Sequence, residues 1–167
     1  MAQNPIPSVK TVPLRLPPGT DLRATLEAGQ RAAGPSATFV LAGIGSLSQA
    51  QLRFAGRTTL YTLQGDIEIL TLAGTIAANG AHLHISVADA DGRVWGGHVA
   101  PGCLVRTTAE ILIVELPDWN FSRELDPTTG FPELVIRGAS PTAWNQPESQ
   151  ALHRGGLVAD PKDGTID

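Results

Sequence analysis

The segment from residue 80 to residue 102 constrains the fold most, since it holds a strong turn signal between two strand-like runs. At its centre, Asp89-Ala90-Asp91-Gly92 combines acidic side chains that can bond their own backbone with a glycine that can adopt a positive φ. From Val94 onward the chain reads as a strand that returns alongside the first. We therefore predict a β-hairpin that reverses at this turn.

The predicted hairpin carries three of the four histidines of the chain, at positions 82, 84 and 98. His82 and His84 are two residues apart, so both side chains would leave the same face of a strand. A three-residue loop over residues 90–92 would set His84 opposite His98 and bring the three imidazoles together. Such a group suits a divalent transition metal (zinc, copper, nickel or iron) and leaves a coordination position open for water or substrate.

Two alternatives stay open for these histidines. A two-residue turn at Asp91-Gly92 would slip the register by one residue and send His98 to the far face, unless a bulge at Gly96-Gly97 restored it. The three rings could also form a hydrogen-bonded group on a partly exposed sheet face, with no metal. The backbone register of the hairpin therefore decides whether a metal site can exist.

Length and composition indicate a single α+β domain. The chain has 167 residues, of which 42% are hydrophobic and 17% charged, as is typical of a soluble globular protein. Eighteen glycines and thirteen prolines imply many turns. We predict a largely antiparallel sheet of about seven strands with one main helix packed on it. An N-terminal arm is expected over residues 1–11, the domain over residues 12–137 and a C-terminal tail, with His153, over residues 138–167.

Charge and apolar patterning restrict the classes of partner. The formal net charge of −4 and the lack of a basic run argue against general nucleic-acid binding, which needs a concentrated positive surface. The first twenty residues lack an apolar signal core and no apolar run is long enough to span a bilayer, so a cytoplasmic location is expected. Cys103, the one cysteine, is interpreted as a small buried residue rather than a nucleophile.

One helix is expected, between residues 20 and 34. Thr20 or Asp21 can cap its start, and Gly34-Pro35 ends it. Small and apolar residues lie near one face of this helix and would pack on the sheet. Its long polar side chains are expected on the outside: Arg23, Glu27, Gln30 and Arg31.

The rest of the chain reads as strands and turns. Besides the hairpin, strands are expected over residues 12–16, 38–42, 49–54, 57–63, 65–74, 104–116 and 131–136. The uninterrupted apolar run over residues 111–114 predicts a central strand covered on both faces. A glycine-rich turn is expected over residues 43–48, and a loop over residues 121–130.

Three further residues are candidates for a pocket beside the histidines: Arg53, Glu68 and Glu110. Glu68 shares a strand face with two leucines, and because an unpaired buried carboxylate is costly, Arg53 is its candidate partner. The two interpretations of Glu68 are an ion pair at a strand edge and a proton carrier beside the metal. Glu110 precedes the central apolar run and could approach the histidines.

A series of ordered motifs resembles the plant-and-prokaryote-conserved (PPC) domain family. The resemblance extends over residues 14–136, most of the chain. The main motifs are Leu16-Pro17-Pro18-Gly19, Gly43-Ile44-Gly45-Ser46-Leu47-Ser48, Gly65-x-x-Glu68-Ile69-Leu70, His82-Leu83-His84-Ile85-Ser86, Gly96-Gly97-His98, Thr108-Ala109-Glu110-Ile111 and Asp126-x-x-Thr129-Gly130-Phe131.

The resemblance implies a compact α+β domain that associates as a homotrimer. It also implies a metal, usually zinc, since some family members carry one at the positions of His82, His84 and His98. Plant members join the domain to AT-hooks, but the Arg-Gly-Arg-Pro core of an AT-hook is absent here, and Asp66 stands where plant members often have a basic residue. The fold is further similar to that of acetolactate decarboxylase, which binds zinc through His-x-His and a later histidine, with Arg and Glu nearby.

Two hypotheses about function follow. The first is a trimeric metal-binding protein, for which metal-dependent catalysis on a small oxygenated substrate is an open question. The second is a non-enzymatic regulatory module that binds DNA or another protein.

Overall fold

The computed structural model describes residues 9–138; residues 1–8 and 139–167, with His153, lie outside that range. Within it the elements are β1 Lys10–Leu16, α1 Leu22–Ala33, β2 Ser36–Arg53, β3 Tyr61–Ala77, β4 Gly80–Ala88, β5 Val94–Val99, β6 Leu104–Leu125 and β7 Pro132–Gly138. One helix and seven strands confirm the predicted α+β class. No helix in the described range is long and apolar enough to cross a bilayer.

The strands form one antiparallel sheet that closes partly on itself. Its order is β1-β6-β2-β3-β4-β5, with β7 paired to β6. One edge of β2 pairs with β6 and then, through Leu52 and Arg53, with β5. Because β5 also pairs with β4, and β4 with β3, these strands and β2 form a ring. The predicted hairpin, β4 and β5, is thus hydrogen-bonded to a neighbouring strand on both sides.

The main core lies between α1 and one face of the sheet. Leu22 and Leu26 of α1 are buried there against apolar side chains of the strands. Alternation along β4 sends Leu83 and Ile85 into this core, so the residue between them, His84, points to the opposite face. We call that opposite face, which carries His84, the outer face.

The helix is capped as predicted, but Gln30, which was expected on its outside, is buried. Asp21 is the N-cap, and its Oδ1 accepts a hydrogen bond from the Ala24 backbone N–H at 2.9 Å. Gln30 is buried, and its amide nitrogen donates to the carbonyls of Gly34 at 3.0 Å and Ser36 at 2.8 Å. The expectation that Gln30 faces solvent was wrong because its amide fastens the end of α1 to the start of β2.

The glycine-rich segment over residues 43–48 is not a turn, because it lies in the middle of β2. Gly45 serves a close approach of backbones instead: a Cβ added there would lie 2.2 Å from the Thr108 carbonyl oxygen of β6. The strands expected over residues 57–63 and 65–74 are likewise a single strand, β3, which begins at Tyr61. β1 begins at Lys10, inside the expected arm.

β6 extends further than the sequence predicts, through the first half of the expected loop to Leu125. Its register with β2 jumps between Leu116 and Asn120, and this irregularity accommodates Pro117, which has no N–H for a ladder bond. Beyond it, residues 119–125 pair with β7. We call this two-stranded extension, residues 119–138, the β6–β7 ribbon.

Replacement of Gly74 by alanine is expected to destabilise the domain. Gly74 has φ +150°, and a Cβ there would lie 2.1 Å from the His82 carbonyl oxygen, a backbone atom that cannot rotate away. We expect Gly74→Ala to lower the free energy of unfolding in urea by about 2 kcal/mol or more. The control is Gly29→Ala on α1, where no atom lies within 4 Å of the added Cβ; it should raise that free energy by about 0.5–1 kcal/mol. Equal midpoints for the two variants would contradict this account.

Candidate metal centre

The turn of the β4–β5 hairpin has the predicted three-residue loop. The Asp89 N–H donates to the Arg93 carbonyl at 3.0 Å, and the Gly92 N–H donates to the Asp89 carbonyl at 2.9 Å. The Asp89 carboxylate accepts the backbone N–H groups of Asp91 and Arg93 and the indole N–H of Trp95. This turn sets His84 directly opposite His98, so the predicted register is confirmed.

Three imidazole nitrogens converge on the outer face. Nε2 of His82, Nε2 of His84 and Nδ1 of His98 form a triangle in which each pair is 3.1 Å apart. This group, which we call the histidine cluster, is the one set of three or more potential metal-ligating side chains within residues 9–138. It is partly exposed, so a small molecule can reach it from solvent.

The triangle fits a metal ion better than it fits a set of hydrogen bonds. Ligands bound tetrahedrally at about 2.0–2.1 Å from zinc lie about 3.3 Å from one another, close to the 3.1 Å seen here. Without a cation, a neutral imidazole nitrogen either donates one proton or offers one lone pair, so three mutual contacts cannot all be hydrogen bonds. A cation would satisfy the three lone pairs together.

Electrostatics keep two of the rings in the form that binds metals. Burial, and next the positive charge of Arg123, lower the pKa of His82. Burial, and next the positive charge of Arg53, lower the pKa of His98. Both effects favour the neutral imidazole, whose free lone pair is what a metal needs.

The inner face of the hairpin is fixed to the helix by a pair of side chains that were expected to face outward. Arg23 donates to the carbonyl of Val99 at 2.7 Å and to that of Ala81 at 2.9 Å. Its partner Glu27, 2.9 Å away, accepts the Ala81 N–H at 3.1 Å. Ala81 and Val99 adjoin two of the histidines, so Arg23 holds β4 and β5 together behind the cluster. The i, i+4 spacing indicates a pair on one helix, but nothing in the sequence indicates which strands it reaches.

Of the three candidate pocket residues, one lies beside the histidine cluster. Arg53 is the cross-strand partner of His98. Glu68 is exposed between Ser46 and Ala88, and within the described residues it forms no ion pair with Arg53. Its carboxylate needs no partner there because water solvates it.

Glu110 is not brought to the histidines either. It lies on β6 between Arg15 of β1 and Ile44 of β2. β2 and β3 separate β6 from β4 in the sheet order. Residue 110 is close to the hairpin in sequence. In space, however, two strands lie between β6 and β4, so Glu110 is not beside the histidines.

Sequence reasoning missed Arg123, which approaches the cluster from the β6–β7 ribbon. Its Nη2 donates to Thr75 Oγ1 at 2.6 Å, and Thr75 is the cross-strand partner of His82. The sequence predicts a loop for this segment, and a predicted loop does not indicate which way a side chain points. Glu133 of the same ribbon also acts on the site, since its charge opposes the lowering of the pKa of His82.

Cys103 is buried, as expected, and lies in the core away from the outer face. Its Sγ accepts the Gln51 N–H at 3.3 Å and donates to the Gln51 carbonyl at 3.4 Å. Burial raises the pKa of the Cys103 thiol to about 11. The thiolate, which is the reactive form, is therefore scarce near neutral pH.

We expect the folded protein to be inert to a thiol reagent at pH 8. Desolvation of the thiol, whose pKa is about 11, and its lack of access to solvent both prevent attack on a disulfide reagent. The measurement is release of thionitrobenzoate, with and without denaturant. One thiol per chain should react in denaturant and almost none without it; rapid reaction of the native protein would contradict the assignment.

A family model and a curated relative match the chain. Residues 5–117 match the model of the Plants and Prokaryotes Conserved (PCC) domain. The chain is 49% identical over 144 residues to the bifunctional protein GlmU of a Synechococcus species (strain JA-2-3B'a(2-13)). That match covers 86% of this chain but 23% of the relative, so the chain spans less than a quarter of the length of that protein.

Three crystal structures share the fold. A hypothetical protein from Salmonella enterica is 36% identical, with a TM-score of 0.76 over 83% of this chain and 100% of that chain. The metal-containing protein AF0104 from Archaeoglobus fulgidus is 24% identical, with a TM-score of 0.68 over 80% of this chain and 99% of that chain. A candidate DNA-binding protein from Ralstonia eutropha is 26% identical, with a TM-score of 0.59 over 76% of this chain and 90% of that chain.

Proposed function

The chain belongs to the Plants and Prokaryotes Conserved (PCC) domain family, and from that premise we propose that its histidine cluster binds a divalent transition metal, with zinc as the first candidate. The observation that carries the proposal is the triangle of three imidazole nitrogens at mutual distances of 3.1 Å. A fold relative from Archaeoglobus is described as metal-containing, which agrees with it.

The donor set supports a site with one open position. Three neutral nitrogen ligands suit zinc, and a site with three protein ligands takes its fourth ligand from solvent or substrate. A metal bound there would supply a Lewis acid that polarises an oxygen or lowers the pKa of bound water. Around it, this chain provides two guanidinium groups, Arg53 and Arg123, and the carboxylate of Glu133. We propose a small oxygenated molecule as the ligand of this site.

Loss of one histidine of the cluster should abolish metal binding. We expect purified wild-type protein to retain about one equivalent of zinc after dialysis, and His84→Ala to lose most of it, because two nitrogen ligands hold zinc far less tightly than three. Elemental analysis of the dialysed proteins gives the metal content directly, without any assay of activity.

The matched control is His153→Ala, which removes the one histidine outside the cluster. It should keep the metal content of the wild type. Circular dichroism would show whether each variant is folded. Equal zinc content in wild type, His84→Ala and His153→Ala would contradict the proposed metal site.

We further propose that the domain associates as a homotrimer, as the family resemblance implies. Large apolar side chains on the sheet support an interface between copies, since Leu41, Ile44 and Leu70 are exposed by 59%, 57% and 45%. Counting from the Gly45–Ile69 pair places Ile44 opposite Leu70, so these two form one patch.

Ile44→Glu should therefore give a monomer. A carboxylate at the centre of an apolar contact loses its hydration without gaining a partner. Light scattering after size exclusion would report about three times the chain mass for the wild type and the chain mass for the variant. Leu125→Glu, at an exposed position on the β6–β7 ribbon, serves as the control and should leave the mass unchanged. A monomeric wild type would contradict the proposal.

A second candidate function is a regulatory module that binds DNA. It is favoured by the description of the Ralstonia relative as a candidate DNA-binding protein. The net charge of −4 weighs against it. Retention of duplex DNA at physiological salt by both wild type and His84→Ala would favour this candidate over the metal site.

A further inference from the structure

We propose that Arg123, held by Thr75, anchors the oxyanion end (a carboxylate or phosphate group) of a small molecule whose other end reaches the histidine cluster. The inference rests on the proposed metal site and adds the class of ligand that this site accepts. It stands on the position, fixation and unsatisfied hydrogen-bonding capacity of this side chain.

The backbone of Arg123 is fixed against the β3–β4 turn. The Arg123 N–H donates to Asn79 Oδ1 at 2.8 Å, and Asn79 Nδ2 donates to the Arg123 carbonyl at 2.8 Å. Phe121, two residues earlier, is buried and makes an edge-to-face contact with Phe39 of β2 at a centroid distance of 5.3 Å. The ribbon is thus attached beside the outer face at residue 123 itself.

The side chain of Arg123 extends from this attachment toward the cluster. Its Nη2 donates to Thr75 Oγ1 at 2.6 Å. Thr75 and His82 are directly opposite each other on β3 and β4, and such side chains lie about 5 Å apart on one face. The guanidinium therefore binds the side chain that directly neighbours His82, one of the three histidines of the cluster.

Arg123 has unused capacity to bind an anion. Its Nε is buried and has no hydrogen-bond partner among residues 9–138. Within the described residues no carboxylate lies within 4.0 Å of its guanidinium, whereas four other arginines each form an ion pair. A buried donor that is left unpaired is costly, and a bidentate oxyanion is the partner that matches a guanidinium fork.

The surrounding charges favour an anionic ligand over a neutral one. Arg53 lies on the His98 side of the cluster and Arg123 on the His82 side. Burial disfavours the charged form of Arg123, and Glu133 partly offsets this effect from a distance. Two cations beside neutral imidazoles, opposed by one carboxylate, leave a positive site that an oxyanion would neutralise.

The test uses the full chain loaded with Co²⁺ in place of zinc, because the visible spectrum of Co²⁺ changes when its exchangeable ligand changes. Three probes are titrated: lactate, inorganic phosphate and propane-1,2-diol. The diol matches lactate but carries a hydroxymethyl group in place of the carboxylate. We expect saturable spectral changes with lactate, phosphate or both, and none with the diol at equal concentration. The anion that binds more tightly shows whether the site prefers a carboxylate or a phosphate group.

Arg123→Gln should retain Co²⁺ and lose about tenfold or more in affinity for the anion. Arg137→Gln is the control: this arginine is on the same ribbon but pairs with Glu124 at 2.7 Å, and its loss should leave the affinity unchanged. Thr75→Val keeps the arginine and removes its fixed acceptor, so it should weaken anion binding severalfold even if Arg123→Gln fails to fold.

The outcomes separate the two proposals. A wild-type protein that takes up no Co²⁺ would overturn the metal site and this inference with it. A protein that binds Co²⁺ normally, but whose anion affinity is unaltered by both Arg123→Gln and Thr75→Val, would overturn this inference alone. Equal affinity for lactate and the diol would also overturn it.

Discussion

Everything on the outer face depends on the backbone register between β4 and β5. A side chain on a strand faces one side or the other with a period of two, so a slip of one residue would carry His98 to the core side. The turn at Asp89 sets this register through its carboxylate, which accepts two backbone N–H groups and the Trp95 indole. The neighbouring strands then maintain it, because β3 and β2 pair with the hairpin from both sides. The positions of three imidazoles are thus consequences of main-chain hydrogen bonds.

The sequence was sufficient for the parts of the fold that are decided locally. Turn chemistry at residues 89–92 predicts a three-residue loop that brings the histidines together as one of two registers, and this is the register observed. Thr20 and Asp21 were the two candidate helix caps, and Asp21 is the one that caps α1. In each case the residues that decide the outcome are within about twenty positions of one another. A short-range interaction can be read from a short segment, since few arrangements of it are compatible with the hydrogen bonds of the turn or cap.

Interactions between distant segments were not predictable in the same way. Gly45 looked like a turn residue but serves the close approach of β2 to β6, which involves Thr108. The sequence predicts a loop at Arg123, but hydrogen bonds with Asn79 and pairing with β7 hold this segment in a strand. Glu110 is near the hairpin in sequence, yet the strand order separates them. The pattern of a single sequence indicates which residues form a strand and which face each side chain takes. It does not indicate which strands lie on either side, because the strand order depends on the whole sheet.

The bridge that Arg23 makes behind the hairpin has a mechanical consequence. One guanidinium spans the carbonyls of Ala81 and Val99, which are adjacent to His82 and His98 on opposite strands. Any change at the outer face that moves these two strands apart or together must also change the hydrogen bonds by which Arg23 attaches α1 to the inner face. By reciprocity, the tightness with which α1 docks would set how readily the imidazoles could adjust to ions of different radius at the proposed metal site. Preference among metals there would depend partly on the helix, which lies on the other face of the sheet from the imidazoles.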